Sequence, residues 1–244
     1  MRVLVVVPAF NEQAALPAVV AEIRNERQRL GIDIDVAVVD DGSTDHTSEV
    51  AYSCGARVLR LCRNLGIGGA VQVGLRAALR EGYDCAIQLD GDGQHPASEI
   101  TKLIGALSQS PAPDLIVGTR YRTRDGFRST ALRRLGGTWL RVLLRVVAGL
   151  RVTDPTSGFR LYGHRALKLF DQTYPYDYPE PEALAIASAA HLRVAEVPVQ
   201  MRERQHGRSS ISGIAAPYYM LKTTLAVVLS YVRNRRRAVD GEGK

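Results

Sequence analysis

Two aspartates separated by one glycine, Asp90 and Asp92, are followed two residues later by Gln94. The apolar run Cys85-Ala86-Ile87 precedes them. Alternate side chains of an extended segment point to the same side, so these three could present oxygen ligands together. Oxygen ligands suit a hard divalent cation such as Mg²⁺ or Mn²⁺. Such a cation could hold a diphosphate, which makes chemistry on a nucleotide sugar the first hypothesis.

Other readings of this segment are weaker or excluded. Asp-Gly pairs are common in turns, so the pattern alone does not establish a metal site. A calcium loop of the EF-hand type would need glycine at His95 and glutamate at Thr101. A nicotinamide cofactor is not expected, because Val71 stands where the dinucleotide fingerprint needs its third glycine. Without a glycine-rich, lysine-bearing phosphate loop near the start, a nucleotidyltransferase is also disfavoured.

The composition predicts anionic partners. The chain has 244 residues, 45% of them hydrophobic, and a net charge of +7. The excess is concentrated in residues 120–151, with nine arginines and one acid, and in the cluster Arg233, Arg235, Arg236 and Arg237. A membrane surface or a phosphorylated substrate fits this charge. Nucleic acid is not expected, because aromatic residues are only 6% and no recognition motif occurs.

Three cysteines without metal or redox spacing indicate reduced thiols in the cytoplasm.

The first 120 residues alternate short apolar runs with helical stretches. Predicted strands are 3–7, 36–39, 58–61, 85–89 and 115–118, and predicted helices are 12–30, 44–54, 68–81 and 97–109. This alternation indicates an α/β fold with a mainly parallel sheet flanked by helices. Ligands of such sheets lie at the carboxyl ends of the strands, which is where the polar clusters fall.

Two later segments have amphipathic or apolar character. Residues 133–150 have helical periodicity with arginines on one face and apolar residues on another, which suits a membrane surface or packing on the core. Residues 214–232 carry one charge, Lys222, and Pro217 near their start. A helix lying on the membrane or against a membrane partner is favoured, while a transmembrane span and an ordinary buried helix stay open. We expect a catalytic domain over 1–212 and a C-terminal helical extension with a basic tail over 213–244.

Five motifs occur in an order that resembles a known family. They are Pro8-Ala9-Phe10-Asn11-Glu12, Val39-Asp40-Asp41-Gly42-Ser43-Thr44-Asp45, Asn64-Leu65-Gly66, Leu89-Asp90-Gly91-Asp92-Gly93-Gln94-His95-Pro96 and Ser157-Gly158-Phe159-Arg160. Over residues 2–212 the chain is similar to the inverting family 2 glycosyltransferases of the GT-A fold, and among them to the dolichyl- and polyprenyl-phosphate mannose and glucose synthases. The resemblance implies transfer of a sugar from a UDP- or GDP-linked donor to a polyprenyl phosphate, at the inner face of the cell membrane.

The resemblance also implies roles for individual residues. The nucleotide would be bound by Pro8, Ala9, Asn11, Glu12, Asp40, Asp41, Asp90 and Gly91. The metal, Mg²⁺ or Mn²⁺, would be held by Asp90, Asp92 and Gln94. Phosphate groups would be met by Arg120, Arg202, Arg204 and Arg208. The acceptor would contact Arg133, Arg134, Ser157, Arg160 and Glu180, and the catalytic residues would be Asp92, Arg120 and Glu182.

The acceptor class depends on one departure from the family pattern. Many members that extend saccharides carry Glu-Asp where this chain has Glu180-Pro181-Glu182. A saccharide hydroxyl needs a general base, whereas a lipid phosphate is already ionised. The departure therefore favours a phosphate acceptor. A saccharide-extending enzyme stays open, with Glu182 or Glu180 as the base, and so does a purely structural role of both glutamates at a helix N-terminus.

Overall fold

Seven strands form one mixed sheet in the computed structural model of the protein, which describes residues 1–121, 131–202 and 216–241. The strands are β1 (Arg2–Ala9), β2 (Asp33–Asp40), β3 (Arg57–Arg60), β4 (Cys85–Gln88), β5 (Leu115–Thr119), β6 (Arg160–Gly163) and β7 (Val194–Pro198). The helices are α1 (Leu16–Leu30), α2 (Thr47–Ser53), α3 (Gly66–Arg80), α4 (Ile100–Ala106), α5 (Ala131–Ala148), α6 (His164–Gln172), α7 (Pro179–Ala189) and α8 (Ala216–Gly241), and a 3₁₀ turn covers Ala97–Glu99.

The strand order is β3-β2-β1-β4-β6-β5-β7, with β6 antiparallel to both of its neighbours. All five strands predicted for the first half are present, and the predicted helices coincide with α1 to α4. The two strands of the second half were not predicted. Each has only four or five residues, and β6 begins with an arginine, so neither has an apolar run long enough to be recognised.

The central strand β1 explains why the sheet is covered on both faces. Its residues 3–7 are fully buried, as expected of a parallel strand between two layers of helices. Val3, Val5 and Val7 face a core shared with α1 and α4, while Leu4 and Val6 face a second core shared with α3, α6 and α7. Helix α3 packs so closely that a Cβ on Gly74 would lie 2.2 Å from Val6 Cγ1.

The direction in which successive strands are added to the sheet reverses after β3. It moves outward through β1, β2 and β3, and then returns to place β4 on the other side of β1. The loops that follow β1 and β4 therefore diverge, and a crevice opens between them. In open α/β sheets this switch point is the usual place for a ligand.

Helices α5, α7 and α8 form a layer beside the second core, where Leu144 of α5 and Val227 of α8 are buried. The predicted boundary between residues 212 and 213 lies outside the described residues, whereas α8 itself packs along α7. Within the part of the chain that the structure describes, no helix is long and apolar enough to cross a membrane.

Candidate active site

A cavity of about 260 Å³ opens at the switch point, where the loops after β1, β2 and β4 meet. It is lined by Pro8, Ala9, Phe10, Glu12, Asp41, Ile67, Ala70, Asp90, Gly91 and Asp92. Seven of these ten residues were predicted from the sequence to bind the nucleotide or the metal. Three loops that are far apart in the chain thus bring four carboxylates, on Glu12, Asp41, Asp90 and Asp92, to one small site.

Asn11 and Asp40 do not line this cavity. Asn11 adopts a left-handed φ of 56°; its backbone N–H donates to Ser43 Oγ at 2.9 Å, and its Oδ1 accepts from the backbone N–H of Thr44 at 2.9 Å. Asp40 is buried and accepts from the backbone N–H of Ser43 at 2.8 Å and from the Ser48 hydroxyl. Asn11 therefore ties the loop after β1 to the loop after β2, whereas Asp40 holds the loop after β2 to the start of α2.

Asp41 supports the side of the cavity that lies next to α3. Its Oδ1 accepts the backbone N–H of Leu65 at 2.7 Å, just before the helix begins. Burial raises the pKa of Asp41, and the hydrogen bonds from the backbone at Leu65 and Gly66 oppose this shift. The carboxylate thus joins the loop after β2 to the N-terminus of α3 while it faces the cavity.

The segment from Asp90 to Gln94 is a turn, which corrects the expectation of an extended segment with three aligned ligands. Gly93 adopts a φ of +74°, and the backbone N–H of Gln94 donates to Asp92 Oδ1 at 3.0 Å. This side-chain hydrogen bond to the backbone two residues later is the reason aspartate favours turns. Asp90 and Asp92 both reach the cavity, but Gln94 is not among its lining residues, and its carbonyl accepts from the N–H of Arg202 at 2.8 Å.

Asp90 carries the clearest sign that a ligand is expected here. Its Oδ1 is buried and has no hydrogen-bond partner in the protein, an arrangement that is costly unless a ligand completes it. Burial raises the pKa of Asp90, the positive charge of His95 opposes that shift, and the charge of Asp92 adds to it. A bound cation would favour the ionised form.

The described residues contain no group of three or more histidine, cysteine, aspartate or glutamate side chains that could hold a metal alone. Two carboxylates with an unfilled oxygen nevertheless fit a cation that shares its ligands with a substrate. Mg²⁺ is usually bound in this way, by one or two carboxylates together with the phosphates of its substrate. The donor set therefore fits a divalent cation bound together with a diphosphate.

Residues from β4 and β6 hold Asp90 in place. The Tyr162 hydroxyl donates to Gln88 Oε1 at 2.9 Å, and Gln88 in turn hydrogen-bonds to Asp90. A Cβ on Gly158 would lie 2.9 and 3.0 Å from the two Asp90 carboxylate oxygens. The glycine of the Ser157-Gly158-Phe159-Arg160 motif is therefore the residue that allows the loop before β6 to pass directly beside this carboxylate.

His95 lies behind the two aspartates. Its ring stacks on Phe159 with centroids 5.1 Å apart, and its Nδ1 is buried without a partner. Burial lowers the pKa of His95, although the charge of Asp90 opposes the shift. The ring therefore packs the loop after β4 against Phe159, the residue that precedes β6.

Arg120, at the end of β5, is held by a chain of carboxylates. Its Nε donates to Asp154 Oδ2 at 2.6 Å and its Nη2 donates to Asp154 Oδ1 at 2.7 Å. Glu196 of β7 accepts the backbone N–H groups of Thr153 and Asp154 at 2.7 and 3.0 Å. Glu196 of the edge strand β7 thus holds the loop that contains Asp154, and Asp154 in turn holds Arg120. The positive charge of Arg120 also acts to lower the pKa of Asp90.

The residues expected at the acceptor side separate into two groups. Arg160 is fully buried and donates to the carbonyls of Ser157 at 2.8 Å and Pro155 at 3.2 Å, while its Nη1 has no partner. Burial raises the pKa of Glu180, and the charge of Arg160 opposes this. Glu182 points elsewhere: its Oε2 accepts from the Ser230 hydroxyl of α8 at 3.0 Å. Glu182 was expected to be a catalytic residue, but its position on α7, two residues after Glu180, turns it toward the neighbouring helix.

The other predicted phosphate ligands are only partly described. Arg202 is directed away from the cavity, because its Nη1 pairs with Glu22 Oε1 of α1 at 2.5 Å. Arg204 and Arg208, and the side chains of Arg133 and Arg134, lie outside the described residues.

Three residues of the site, Gln88, Asp154 and Glu196, were not predicted from the sequence. Gln88 could have been noticed as a polar side chain ending a fully buried strand, because such groups need partners. Asp154 is the single acid close to the serine-glycine motif in an arginine-rich region. Glu196 offered no signal, because an acid on an edge strand usually faces solvent.

A larger groove of about 790 Å³ opens at the opposite edge of the sheet, beside Arg27, Asp35 and Arg57. Arg27 pairs with Asp33 and Asp35, and Arg57 pairs with Glu81. Because these charges neutralise one another, and because this is the amino end of β1 and β2, the groove offers no comparable chemistry.

Comparison with known proteins agrees with this geometry. The family model described as "Glycosyl transferase family 2" matches residues 4–170. The chain belongs to glycosyltransferase family 2. It is 31% identical to the undecaprenyl-phosphate mannosyltransferase of Micrococcus luteus over 87% of this chain and 88% of that protein. It is 30% identical to the polyprenol monophosphomannose synthase of Mycolicibacterium smegmatis over 87% and 82%, respectively.

The fold of this glycosyltransferase is the GT-A fold. It matches the crystal structure of glucosyl-3-phosphoglycerate synthase from Mycobacterium tuberculosis, solved with Mn²⁺, uridine diphosphate and phosphoglyceric acid, with a TM-score of 0.71. The match covers 94% of this chain and 78% of that one, at 24% sequence identity. The family and the fold expected from the five motifs are therefore confirmed.

Proposed function

We propose that this glycosyltransferase moves a sugar from a UDP- or GDP-linked donor to a polyprenyl phosphate, with inversion at the anomeric carbon. One observation carries the proposal: the buried, unpartnered Oδ1 of Asp90 beside Asp92 in the cavity at the switch point. The names of two relatives, the undecaprenyl-phosphate mannosyltransferase of M. luteus and the polyprenol monophosphomannose synthase of M. smegmatis, support the acceptor class.

The nucleotide would occupy the cavity between β1 and α3. Pro8, Ala9 and Gly91 offer backbone and small side chains at its wall, and Glu12 and Asp41 offer carboxylates. A carboxylate can accept hydrogen bonds from the N–H groups of a base or from the hydroxyls of a ribose. Asn11 and Asp40 would contribute indirectly, because they hold the two loops that form the wall.

Asp90 and Asp92 would hold Mg²⁺ or Mn²⁺ together with the donor diphosphate. The Mn²⁺ and uridine diphosphate bound by the M. tuberculosis synthase of the same fold support this assignment. When bound, the cation neutralises the negative charge that grows on the departing nucleoside diphosphate.

The residues of the chain itself would position the reactants. Arg120, fixed by Asp154, would add positive charge on the leaving-group side, where a preorganised guanidinium lowers the barrier without having to reorganise. Arg160, with its unpartnered Nη1 beside Glu180, lies on the side where the acceptor would enter. A lipid phosphate in that position is already ionised and can attack the anomeric carbon without a base.

The reaction would take place at the cytoplasmic face of the cell membrane. The three cysteines are unpaired, which suits a reducing compartment. The acceptor is a membrane lipid, so the enzyme would have to be peripheral to the bilayer or bound to a membrane protein.

A saccharide-extending activity is the second candidate, and Glu180 is the observation that favours it. Burial raises the pKa of Glu180, and a carboxylate with a raised pKa is a stronger base for a sugar hydroxyl. If a sugar hydroxyl is the acceptor, Glu180→Gln should lower kcat by about 100-fold or more. If a phosphate is the acceptor, the loss should be far smaller, because no proton has to be removed.

The direct test incubates the protein with labelled UDP- and GDP-sugars, Mg²⁺ or Mn²⁺, and undecaprenyl phosphate in detergent, and measures labelled lipid. Wild type and Glu180→Gln should both form product, whereas Asp92→Asn should not. Absence of labelled lipid with every donor would remove the proposed acceptor. Product formed only with a saccharide acceptor, and lost in Glu180→Gln, would establish the second candidate.

A further inference from the structure

Helix α8 has an unusual orientation. The side chains that it buries against its neighbours include Thr223, Ser230 and Asn234. On the opposite side it exposes a stripe of large apolar residues: Tyr218, Leu221, Leu225, Leu229 and Val232. Leu229 is 66% exposed, while Thr223 is fully buried. A helix that merely covers a core would place these residues the other way round.

Two of these three buried polar side chains, Ser230 and Asn234, have hydrogen-bond partners, whereas Thr223 Oγ1 has none among the described residues. The Ser230 hydroxyl donates to Glu182 Oε2 at 3.0 Å, and Asn234 Nδ2 donates to the Ser230 carbonyl at 2.8 Å. Rotating α8 to bury its leucines would expose Glu182 and remove its partner. The structure thus fixes the apolar stripe of α8 on the outside.

Helix α5 carries a matching stripe. Leu135, Trp139, Val142 and Val146 are exposed at helical spacing, while Leu140 and Leu144 are buried on the opposite side. The indole Nε1 of Trp139 donates to Thr224 Oγ1 of α8 at 3.0 Å. This bond brings the two stripes side by side. We call the nine exposed apolar residues of α5 and α8 the two-helix face.

The dimensions of the two-helix face exceed those of scattered surface residues. Each stripe runs for at least eleven residues, about 16 Å at 1.5 Å per residue, and two packed helices are together roughly 20 Å wide. The face therefore covers about 300 Å², which matches the largest apolar patch of a typical monomer, and such patches are often functional.

The charge around the face identifies the kind of partner. Exposed or half-buried cations flank it on both helices, namely Arg141, Arg145, Lys222, Arg233, Arg235 and Arg236. In the sequence of the two helices the only acid is Asp240. A groove of about 710 Å³ beside α5 adds Arg151 to this set. An apolar face bordered by cations is complementary to a bilayer of anionic phospholipids, into which such helices insert at headgroup depth.

We propose that the two-helix face is a docking surface for an anionic phospholipid bilayer. The apolar stripes would lie among the upper parts of the acyl chains, and the flanking arginines would meet lipid phosphates. Lys222 pairs with Asp177 at 3.2 Å, in the loop just before Glu180, so the face extends to the acceptor side of the site. Binding of the bilayer depends only on the apolar residues and cations of the two-helix face. That a lipid acceptor reaches the active site from this face rests, in addition, on the proposed function.

The test measures co-sedimentation of the full chain with vesicles of phosphatidylcholine, with and without phosphatidylglycerol, in the absence of any nucleotide sugar. The double variant Leu225→Gln, Leu229→Gln should weaken binding by about 100-fold, because two leucines lose their apolar environment. Arg235→Glu, Arg236→Glu should abolish the preference for anionic vesicles. Tyr52→Gln, at an even more exposed position on α2, is the control and should bind as wild type does.

Activity and mass measurements separate the possible failures. The leucine variant should retain wild-type transfer to a short-chain, water-soluble polyprenyl phosphate, and a thermal melt should show that it folds. Unchanged vesicle binding in both double variants would overturn the proposal. So would sedimentation showing that the leucines hold two copies of the chain together while vesicle binding persists. Failure of the sugar-transfer assay with intact vesicle binding would refute the proposed function alone.

Discussion

The guanidinium of Arg120 and the carboxylate of Asp154 form a bidentate ion pair, with Nε to Oδ2 at 2.6 Å and Nη2 to Oδ1 at 2.7 Å. The carboxylate is fully buried, so the pair is shielded from solvent. Such planar, two-point pairing fixes the orientation of the arginine as well as its position. The pair joins the end of β5 to the loop before β6, the two elements that flank Asp90 on one side.

Asp154→Asn should reduce kcat by about 100-fold, because a guanidinium displaced by an ångström no longer meets the leaving group. The matched control is Asp114→Asn. Asp114 is also buried and also pairs with arginines, Arg165 and Arg193, but at the far end of β5. Steady-state kinetics should show a loss in the first variant and near-normal kcat in the second. Equal losses in both would mean that the ion pair matters only for folding.

Gly158→Ala should disrupt the metal site more than the fold. The added Cβ would lie within 3.0 Å of both Asp90 carboxylate oxygens, so the carboxylate must shift. We expect a destabilisation of about 1–3 kcal/mol and a clear loss of Mn²⁺-dependent nucleotide binding, measured by calorimetry. Gly105→Ala is the control: nothing lies within 4 Å of its added Cβ, so it should leave binding unchanged and stabilise α4 by about 0.5–1 kcal/mol. Normal Mn²⁺-dependent binding by Gly158→Ala would contradict the assignment.

Glu182 should affect stability and its pH dependence rather than catalysis. Burial raises its pKa, and the hydrogen bond from Ser230 opposes the shift. The folded state therefore keeps this proton at a pH where the unfolded chain has lost it. Its contribution to stability is fully present below the unfolded pKa near 4.5 and falls as the pH rises through the raised folded value.

Glu182→Gln should remove that pH-dependent loss, so the variant should gain stability relative to wild type as the pH rises from acid to neutral. Urea unfolding at several pH values measures this, with transfer activity assayed in parallel. If Glu182→Gln is stable but has no transfer activity, Glu182 has a catalytic role after all.

The sequence was sufficient to predict the half of the fold that carries the nucleotide-binding cavity. Its strands are apolar runs, and β1 in particular is five consecutive buried residues followed by Pro8. Because parallel strands end at one edge, the motifs after β1, β2 and β4 could be expected to converge. That expectation needs only the order of strands and helices, not their exact contacts.

What the sequence could not supply was side-chain direction. Asp90 and Asp92 were correctly placed at the end of β4, but a turn rather than an extended segment separates them from Gln94. Glu180 and Glu182 are two residues apart, and helical geometry sends one toward Arg160 and the other toward Ser230. Such differences depend on tertiary contacts that a single sequence does not reveal.

Helix α8 shows the same limit. Its apolar composition predicts a helix, and the structure has one, but composition does not say which face is buried. Tertiary contacts fix the buried face, among them the hydrogen bond from Ser230 to Glu182, which joins residues 48 positions apart in the chain.

The most direct test of the account is titration of the protein with UDP and GDP, with and without Mn²⁺, followed by calorimetry and by the shift in melting temperature. Wild type should bind one of the two nucleotides more tightly in the presence of Mn²⁺, and ligand bound to the native state should raise the melting temperature. Asp90→Asn and Asp92→Asn should lose the effect of Mn²⁺, while Asp114→Asn should keep it. If Mn²⁺ leaves wild-type binding unchanged, or if the two aspartate variants respond to it as wild type does, the carboxylates at the end of β4 do not hold the cation and the donor site is wrongly assigned.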